Sequence, residues 1–191
     1  MKLNRIILAS ASPRRKELLE QIDIKFECVV SDTEEIITSV NPAEVVEELS
    51  KQKAMDVAKR LENDFDLIIG ADTVVAYKNK ILGKPLDRQD AIETIRMLQA
   101  DKHQVYTGVT LVLKNKIITF HEKTDVYVYP ISDDLIEKYA DTKECMDKAG
   151  SYAIQGRFAR YIEKIEGDYN NVVGLPISAI IHRLTEEGFF I

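Results

Sequence analysis

The sequence contains few of the residues that build disulfide frameworks or metal clusters. Its two cysteines, Cys28 and Cys145, lie far apart and outside any CxxC pattern, so neither a disulfide nor a zinc site is predicted. The three histidines are scattered and lack the spacing of metal ligands. A chain so poor in cysteine is typical of a reducing compartment, and we therefore expect a cytoplasmic location.

Long apolar runs are also missing. No stretch approaches the roughly 18 apolar residues that cross a bilayer, and the apolar run near the N-terminus is too short for a signal peptide. The net charge of −6 disfavours non-specific binding to nucleic acid. We therefore expect neither a membrane nor a nucleic acid as a partner.

Several familiar signatures of nucleotide-binding and hydrolytic proteins are absent as well. The chain has no glycine-rich loop ending in Gly-Lys-Ser/Thr, and no dinucleotide fingerprint follows a predicted strand. Neither a Ser/His/Asp triad nor a nucleophilic cysteine is indicated. Any phosphate binding by this chain must therefore use a different set of residues.

Strand and helix signals alternate along the 191 residues, of which 45% are hydrophobic and 30% charged. Apolar or alternating runs predict strands over residues 6–8, 26–30, 67–75, 81–82, 106–113, 117–129 and 160–165. Helices are predicted from Pro13, over 43–61, from Asp87 to Leu98, over 133–139, and from Pro176 to Gly188. We predict one α/β domain over residues 1–191, with the strands over 106–113 and 117–129 forming an antiparallel hairpin.

The start of the first predicted helix carries an unusual charge. Ser12 stands at the N-cap position before Pro13, and the cations Arg14, Arg15 and Lys16 follow in the first turn. A helix dipole favours carboxylates there, so each cation is unfavourable by a few tenths of a kcal/mol, roughly. An anion bound by the helix N-terminus, by the hydroxyls of Ser10 and Ser12 and by the guanidinium groups would explain the pattern. The alternative is a solvated surface turn.

Two further polar residues lie in apolar surroundings. Lys53 falls on the apolar stripe of the second predicted helix, where it either extends its ammonium group to solvent or serves a ligand. Asp72 interrupts the most apolar strand, where a carboxylate must be paired, hydrogen-bonded, metal-bound or protonated. A structural, hydrogen-bonded role for Asp72 is the alternative to a functional one.

Together these polar residues form a set that suits phosphate chemistry. The set comprises Ser10, Ser12, Arg14, Arg15, Glu35, Lys53, Asp72, Lys84 and Gln155. Cations neutralise phosphate oxygens, carboxylates hold a hard metal such as Mg²⁺, and one carboxylate can orient or deprotonate a water molecule. From the residues alone we predict a metal-assisted hydrolase of phosphate esters or phosphoanhydrides.

Several motifs, taken in order from residue 6 to about 178, resemble the Maf family of nucleoside triphosphate pyrophosphatases. They read SASPRRKELL, EE at 34–35, KQKA at 51–54, GADTVV, GKP, DKAGSYAIQG and GDYNNVVGLP. The resemblance implies a long, mixed, mostly antiparallel sheet flanked by helices, with two lobes around a cleft, as in inosine triphosphate pyrophosphatases. It also implies hydrolysis of a nucleoside triphosphate to the monophosphate and pyrophosphate with Mg²⁺ or Mn²⁺.

The resemblance also assigns roles to residues. Asp72 matches the catalytic acidic position, as general base and metal ligand. Glu35 matches the second metal-associated carboxylate, with its neighbour Glu34 left open. Ser10, Arg14, Arg15, Lys53 and Lys84 match positions that bind the triphosphate, and Ser12 is predicted to join them.

Substrate preference is implied by three positions. The dTTP/UTP branch of the family carries the residues found here as Arg14, Thr73 and Gln155. A neutral amide at Gln155 can donate to a pyrimidine carbonyl and accept from the ring N3–H. Asp72 and Thr73 point to opposite faces of a regular strand, so both can serve the site only if the strand kinks or ends nearby.

Two other hypotheses remain open at this stage. The first keeps the reaction and changes the substrate to another or a modified nucleotide. The second is a regulator of septum formation acting by binding, the role recorded in the family's name. The sequence leaves a homodimer open and does not rank dTTP against UTP.

Overall fold

The computed structural model describes residues 1–62 and 64–191, which form a mixed sheet flanked by helices. The strands are β1 (Ile6–Leu8), β2 (Glu27–Cys28), β3 (Leu67–Tyr77), β4 (Lys80–Leu82), β5 (Lys102–Leu113), β6 (Lys116–Val128) and β7 (Ile162–Glu166). The helices are α1 (Pro13–Glu20), α2 (Pro42–Arg60), α3 (Arg88–Leu98), α4 (Asp133–Asp141), α5 (Tyr169–Val173) and α6 (Ile177–Glu186). None of these helices combines the length and apolar character needed to span a bilayer.

The sheet has the strand order β2-β1-β3-β5-β6-β7, with β4 paired to β3. β1 runs parallel to β2 and β3, and all pairings among β3 to β7 are antiparallel. The predicted α/β class and the predicted hairpin of two long strands, β5 and β6, are therefore confirmed. The mixed, mostly antiparallel sheet follows because short turns connect the long strands.

Three predicted elements were inaccurate. The strand predicted over residues 26–30 is only two residues long in β2, and the strand predicted from residue 160 begins at Ile162, after a 3₁₀ segment over Arg157–Tyr161. The short helix α5 was not predicted, because five residues are too few to display a helical period. Asp168 caps α5 by accepting a hydrogen bond from Asn170 N.

In residues 1–62 and 64–191, one edge of β3 has no neighbouring strand at its middle. β1 pairs with β3 only as far as Ile69, and β4 pairs with β3 only from Val75 onward. On its other edge β3 pairs with β5 without a register shift from Leu67 to Ala76. At residues 70–74, β3 therefore pairs with a described strand on one edge only, and we call its other edge the open edge of β3.

Two apolar cores follow each other along one face of β3. The first contains Leu67, Ile69 and Ala71 and packs against α1 and α6. The second contains Val75 and Tyr77 and packs against α3 and α4. Because alternate residues of a strand share a face, both cores lie on the same side of the sheet, separated at Thr73. This arrangement agrees with the predicted two lobes.

The opposite face of the sheet is covered by α2 at very short range. A Cβ atom at Gly108 of β5 would lie 2.1 Å from the Val46 carbonyl oxygen, and one at Gly70 would lie 2.5 Å from the Ser50 carbonyl oxygen. Both glycines are therefore required so that the helix backbone can approach the sheet. This close approach places Lys53 of α2 directly above β3.

Replacing Gly108 with alanine should destabilise this packing. We expect Gly108→Ala to lower the free energy of unfolding by about 3 kcal/mol, because the new Cβ meets helix backbone that has no rotamer to change. Denaturation in urea measures the change. Gly83→Ala is the matched control, since a Cβ there would meet nothing within 4 Å, and we expect less than about 0.5 kcal/mol. Equal stability of the two variants would contradict the close approach of α2.

Candidate active site

A cavity of about 540 Å³ lies beside the open edge of β3. Its volume is in the range of sites that bind small molecules. Nine of the ten predicted site residues line it: Ser10, Ser12, Arg14, Arg15, Glu35, Lys53, Asp72, Thr73 and Lys84. They come from five parts of the chain that are separated in sequence, and the fold brings them together.

The N-terminus of α1 faces this cavity. Ser12 has the extended backbone of an N-cap, but its side chain makes no capping hydrogen bond, contrary to the usual role of serine there. The first turn contains no acidic residue. Arg14 lines the cavity, and its guanidinium group forms no ion pair or hydrogen bond with the residues that the structure describes. Ser12 and Arg14 thus retain polar groups for a ligand.

Arg15 is bound to the protein itself. Its Nε donates to Gly174 O at 2.8 Å, its Nη1 donates to Ser10 Oγ at 3.0 Å and to Ala71 O at 2.8 Å, and its Nη2 donates to Thr73 Oγ1 at 3.0 Å. Four of its five N–H donors are thereby engaged. Arg15 therefore joins α1, the open edge of β3 and the end of α5.

Burial changes the electrostatics of Arg15. It lowers the pKa of the guanidinium below its ordinary value, while the negative charge of Asp72 opposes that shift. No carboxylate is within ion-pair distance of Arg15 among residues 1–62 and 64–191. The group thus places an uncompensated positive charge in the wall of the cavity, which favours an anion there.

A directed chain of hydrogen bonds runs from Arg15 through two threonines. Thr107 Oγ1 donates to Asn171 O at 2.9 Å, so the hydroxyl proton of Thr107 is used. Thr73 Oγ1, 2.9 Å from Thr107 Oγ1, must then be the donor of that pair, since Gly174 O is farther away at 3.5 Å. With Arg15 donating to it, Thr73 can act toward a ligand only as an acceptor.

Lys53 joins two carboxylates at the wall of the cavity. Its Nζ lies 2.5 Å from Asp72 Oδ1 and 2.8 Å from Glu35 Oε1. The side chain of Asp72 is 15% exposed and that of Glu35 is 48% exposed, so both carboxylates can be reached from solvent. Lys53 therefore does not merely extend to solvent: it neutralises part of the charge of two groups that face the same cavity.

The structure distinguishes the two neighbouring glutamates that the sequence left open. Glu35 lines the cavity and pairs with Lys53, whereas Glu34 is exposed and is not part of the lining. Lys84 lies in the loop after β4 and contributes a further cation to the cavity. The predicted assignment of Glu35 is thus favoured over that of Glu34.

β3 neither kinks nor ends near Asp72, so the condition stated for Asp72 and Thr73 to reach one site was wrong. Asp72 and Thr73 pair with Gly108 and Thr107 of β5 in unbroken register. They point to opposite faces, Asp72 toward Lys53 of α2 and Thr73 toward Arg15. Both nevertheless line the cavity, because β1 has already ended and the cavity wraps around the open edge of β3.

Part of the lining is apolar, and Gln155 lies next to it. Tyr152, Ala153, Ile154 and Val172 line the cavity, but Gln155 is exposed and is not among the lining residues. Gln155 thus follows the lining residue Ile154 in sequence, and its contact with a base stays a prediction.

Sequence reasoning did not single out Asp147, Lys148 and Tyr152, which also line the cavity. Lys148 and its ion-pair partner Asp147 line the cavity, and the Lys148 ammonium group lowers the pKa of Asp147. Tyr152 hydrogen-bonds through its hydroxyl to His103 Nε2 at 2.7 Å, and burial lowers the pKa of His103 to about 4, so the imidazole is neutral at pH 7. The segment DKAGSYAIQG contained these residues, but no periodicity singled them out.

The donor set fits a hard divalent cation. Glu35 and Asp72 supply carboxylate oxygens, and Mg²⁺ in proteins is commonly held by one or two carboxylates together with substrate phosphates. The part of the chain that the structure describes contains no cluster of three or more histidine, cysteine, aspartate or glutamate residues that could hold a metal ion. Glu35 and Asp72 therefore suit a metal that arrives with a phosphate ligand.

A comparison with protein families decides the classification. The family model described as Maf-like protein matches residues 5–187. This chain belongs to the Maf family. The resemblance inferred from the motifs is confirmed over nearly the full length of the sequence.

Curated relatives of this Maf protein cover almost the whole chain. A dTTP/UTP pyrophosphatase of Agathobacter rectalis is 50% identical over 202 residues, covering 97% of this chain and 98% of the relative. One of Lachnoclostridium phytofermentans is 48% identical, covering 96% and 95%. One of Bacillus mycoides is 45% identical, covering 96% of each.

A solved structure shares the fold of this Maf protein. The Ham1 protein of Staphylococcus aureus aligns with a TM-score of 0.51 and 14% sequence identity, covering 96% of this chain and 100% of that chain. At this identity the likeness shows the fold alone. It agrees with the predicted architecture, a mixed sheet with helices on its faces.

Proposed function

We propose that this protein is a nucleoside triphosphate pyrophosphatase that hydrolyses dTTP and UTP to the monophosphate and pyrophosphate. The observation that carries the proposal is the arrangement of Lys53 between Glu35 and Asp72 in a cavity that is otherwise rich in cations. The names of the relatives, dTTP/UTP pyrophosphatases at 45–50% identity, support the same reaction and substrates.

The lining of the cavity matches the two parts of a nucleotide. Ser10, Ser12, Arg14, Lys84 and the N-terminus of α1 offer donors and positive charge for the triphosphate. Apolar lining residues near Gln155 offer a surface for the base. Arg15 contributes to triphosphate binding indirectly: its hydrogen bonds position Ser10 and Thr73, and its positive charge attracts the phosphates.

Asp72 is the residue to which we assign the chemical step. It is oriented by Lys53 and reachable from the cavity, as a base that orients and deprotonates water must be. Glu35 and Asp72 would hold a divalent cation such as Mg²⁺ or Mn²⁺, which when bound supplies charge stabilisation for the phosphate oxygens. The product of attack at the α-phosphorus is the monophosphate, and pyrophosphate leaves.

A panel of nucleoside triphosphates tests the proposal. The purified protein is incubated with Mg²⁺ and either dTTP, UTP, CTP, dATP or GTP, and pyrophosphate and monophosphate are both quantified. We expect turnover of dTTP and UTP with equal amounts of the two products. Release of inorganic phosphate alone would contradict the proposed reaction.

The same panel distinguishes the other hypotheses. Turnover of a different or modified nucleotide would keep the reaction and change the substrate. Absence of turnover with every nucleotide would leave the regulator of septum formation as the hypothesis to pursue. The ion-paired carboxylates favour catalysis, because a surface used only for binding has no need of them.

Gln155 is predicted to read the base. We expect Gln155→Glu to lower the ratio of kcat/KM for dTTP over GTP by about tenfold, because an ionised carboxylate accepts hydrogen bonds but cannot donate to a pyrimidine carbonyl. Steady-state kinetics with both substrates measure the ratio. An unchanged ratio would show that Gln155, which is exposed and outside the cavity lining, does not recognise the base.

Three further features stay predictions. They are a single functional domain over residues 1–191, a homodimer and a cytoplasmic location. Each is compatible with the fold and with the proposed substrates.

A further inference from the structure

The segment that carries Glu35 has no regular secondary structure, yet it is fixed along α2. Residues 29–40 lie between β2 and α2, and most of their side chains are exposed. Four residues of α2, spaced four apart and therefore on one stripe of the helix, contact this segment: Glu48, Gln52, Asp56 and Arg60. We refer to these four residues as the α2 row.

The contacts of the α2 row run in antiparallel order. Arg60 donates to Val30 O and, at 2.9 Å, to Asp32 Oδ2; Asp56 accepts from Asp32 N at 3.1 Å. Farther along the segment, Glu48 accepts from Thr38 N at 3.0 Å. The segment therefore runs antiparallel to α2 and contacts successive turns of the helix.

Gln52 makes the contact nearest to Glu35, and it differs from the others. Its Oε1 accepts from Ile36 N at 2.9 Å, and its Nε2 donates to Ile36 O at 2.6 Å. The amide thus satisfies both backbone groups of one residue, as a neighbouring strand would. Because Ile36 follows Glu35 directly, this pair of hydrogen bonds fixes the peptide group that joins Glu35 to Ile36.

The next residue of α2 completes the placement. Lys53 follows Gln52 and contacts the Glu35 carboxylate at 2.8 Å. Among the described residues, Glu35 forms an ion pair with Lys53, and the Glu35 side chain is half exposed. Few contacts therefore restrain the Glu35 carboxylate, and its position depends on the backbone of Glu35 and Ile36.

We propose that Gln52 is a positioning residue that sets the Glu35 carboxylate beside Lys53 and Asp72 for a divalent cation. The inference rests on the proposed function for the use of that cation. Gln52 acts through the Ile36 peptide and does not touch the cavity, since it is not among the lining residues. It is comparable to an outer-shell residue that orients a metal ligand.

Binding of Mn²⁺ provides a readout that does not depend on turnover. Free Mn²⁺ is measured by electron paramagnetic resonance during titration of the full chain with pyrophosphate, and the same titration of pyrophosphate without protein is the reference. We expect Gln52→Ala to weaken Mn²⁺ binding about tenfold, and to raise the Mg²⁺ concentration for half-maximal turnover of dTTP by a similar factor. Saturating Mg²⁺ should restore much of kcat.

Two further variants keep the test interpretable. Gln52→Glu can accept from Ile36 N but cannot donate to Ile36 O, so we expect an intermediate loss of Mn²⁺ affinity. Lys51→Ala is the matched control: Lys51 is exposed on the same helix turn, and it forms no hydrogen bond or ion pair in the described structure. Its Mn²⁺ affinity should equal that of the wild type. Thermal melting verifies that each variant is folded.

The outcomes separate this inference from the proposed function. Wild-type turnover with unchanged Mn²⁺ affinity in Gln52→Ala would overturn the positioning role and leave the function intact. Absence of wild-type turnover with every triphosphate would overturn the function, and the Mn²⁺ titration would still decide the role of Gln52. A wild type that binds no Mn²⁺ would overturn the positioning role as well.

Discussion

Asp72→Asn should lower kcat for dTTP about a thousandfold while the protein stays folded. An amide cannot take a proton from water, and it is a poor ligand for a hard cation. The substitution retains the size of the side chain and an oxygen that can accept from Lys53, so the packing of β3 should persist. Pyrophosphate release and thermal melting, measured on the same preparation, provide the two readouts.

Asp125→Asn is the matched control for Asp72→Asn. Asp125 on β6 is 14% exposed and pairs with Lys102 at 3.0 Å, so it resembles Asp72 in burial and in its lysine partner, but it does not line the cavity. We expect its kcat to stay within about twofold of the wild type. If Asp72→Asn unfolds the protein, or if both variants lose activity equally, Asp72 has a structural role and the proposed chemistry is wrong.

Arg15→Lys should be strongly destabilising although it preserves the charge. An ammonium group has three donors and no planar fork, so it cannot reach Gly174 O, Ala71 O, Ser10 and Thr73 together. Leaving buried acceptors unpaired should lower the free energy of unfolding by about 3 kcal/mol. In a chain of this length that corresponds to a drop of about 10 °C in Tm, which calorimetry measures.

Arg14→Lys separates the roles of the two neighbouring arginines. Arg14 lines the cavity without partners in the described residues, so its replacement should leave Tm within about 2 °C. The loss of bidentate phosphate binding should instead raise KM for dTTP several-fold. The reverse pattern, with Arg14 controlling stability and Arg15 controlling KM, would contradict the site as described.

Much of the fold followed from local patterns in the sequence. The apolar runs that became β3, β5 and β6 were correctly predicted to be strands, and the pairing of β5 with β6 was also predicted correctly. A helix beginning at Asp87 was predicted, and the Asp87 side chain caps that helix by accepting a hydrogen bond from Asp90 N. Strand periodicity and helix starts depend on residues that are neighbours in sequence, so they can be predicted from the sequence alone.

The features that were missed depend on contacts between distant segments. Arg14 and Arg15 are indistinguishable in sequence, but only Arg15 reaches the carbonyl groups of Ala71 and Gly174. The open edge of β3 exists because β1 ends at Leu8 and β4 begins to pair at Val75, and no property of Asp72 or Thr73 reveals it. The choice of Glu35 over Glu34 likewise needed the position of α2.

The position of bond cleavage tests the central claim most directly. Hydrolysis of dTTP in water enriched with the heavy oxygen isotope, followed by mass spectrometry of both products, shows which phosphorus the water attacks. Attack at the α-phosphorus by water oriented at Asp72 places the label in dTMP and leaves pyrophosphate unlabelled. Label in pyrophosphate or in inorganic phosphate would mean that a different bond is cleaved, and the proposed reaction would be wrong.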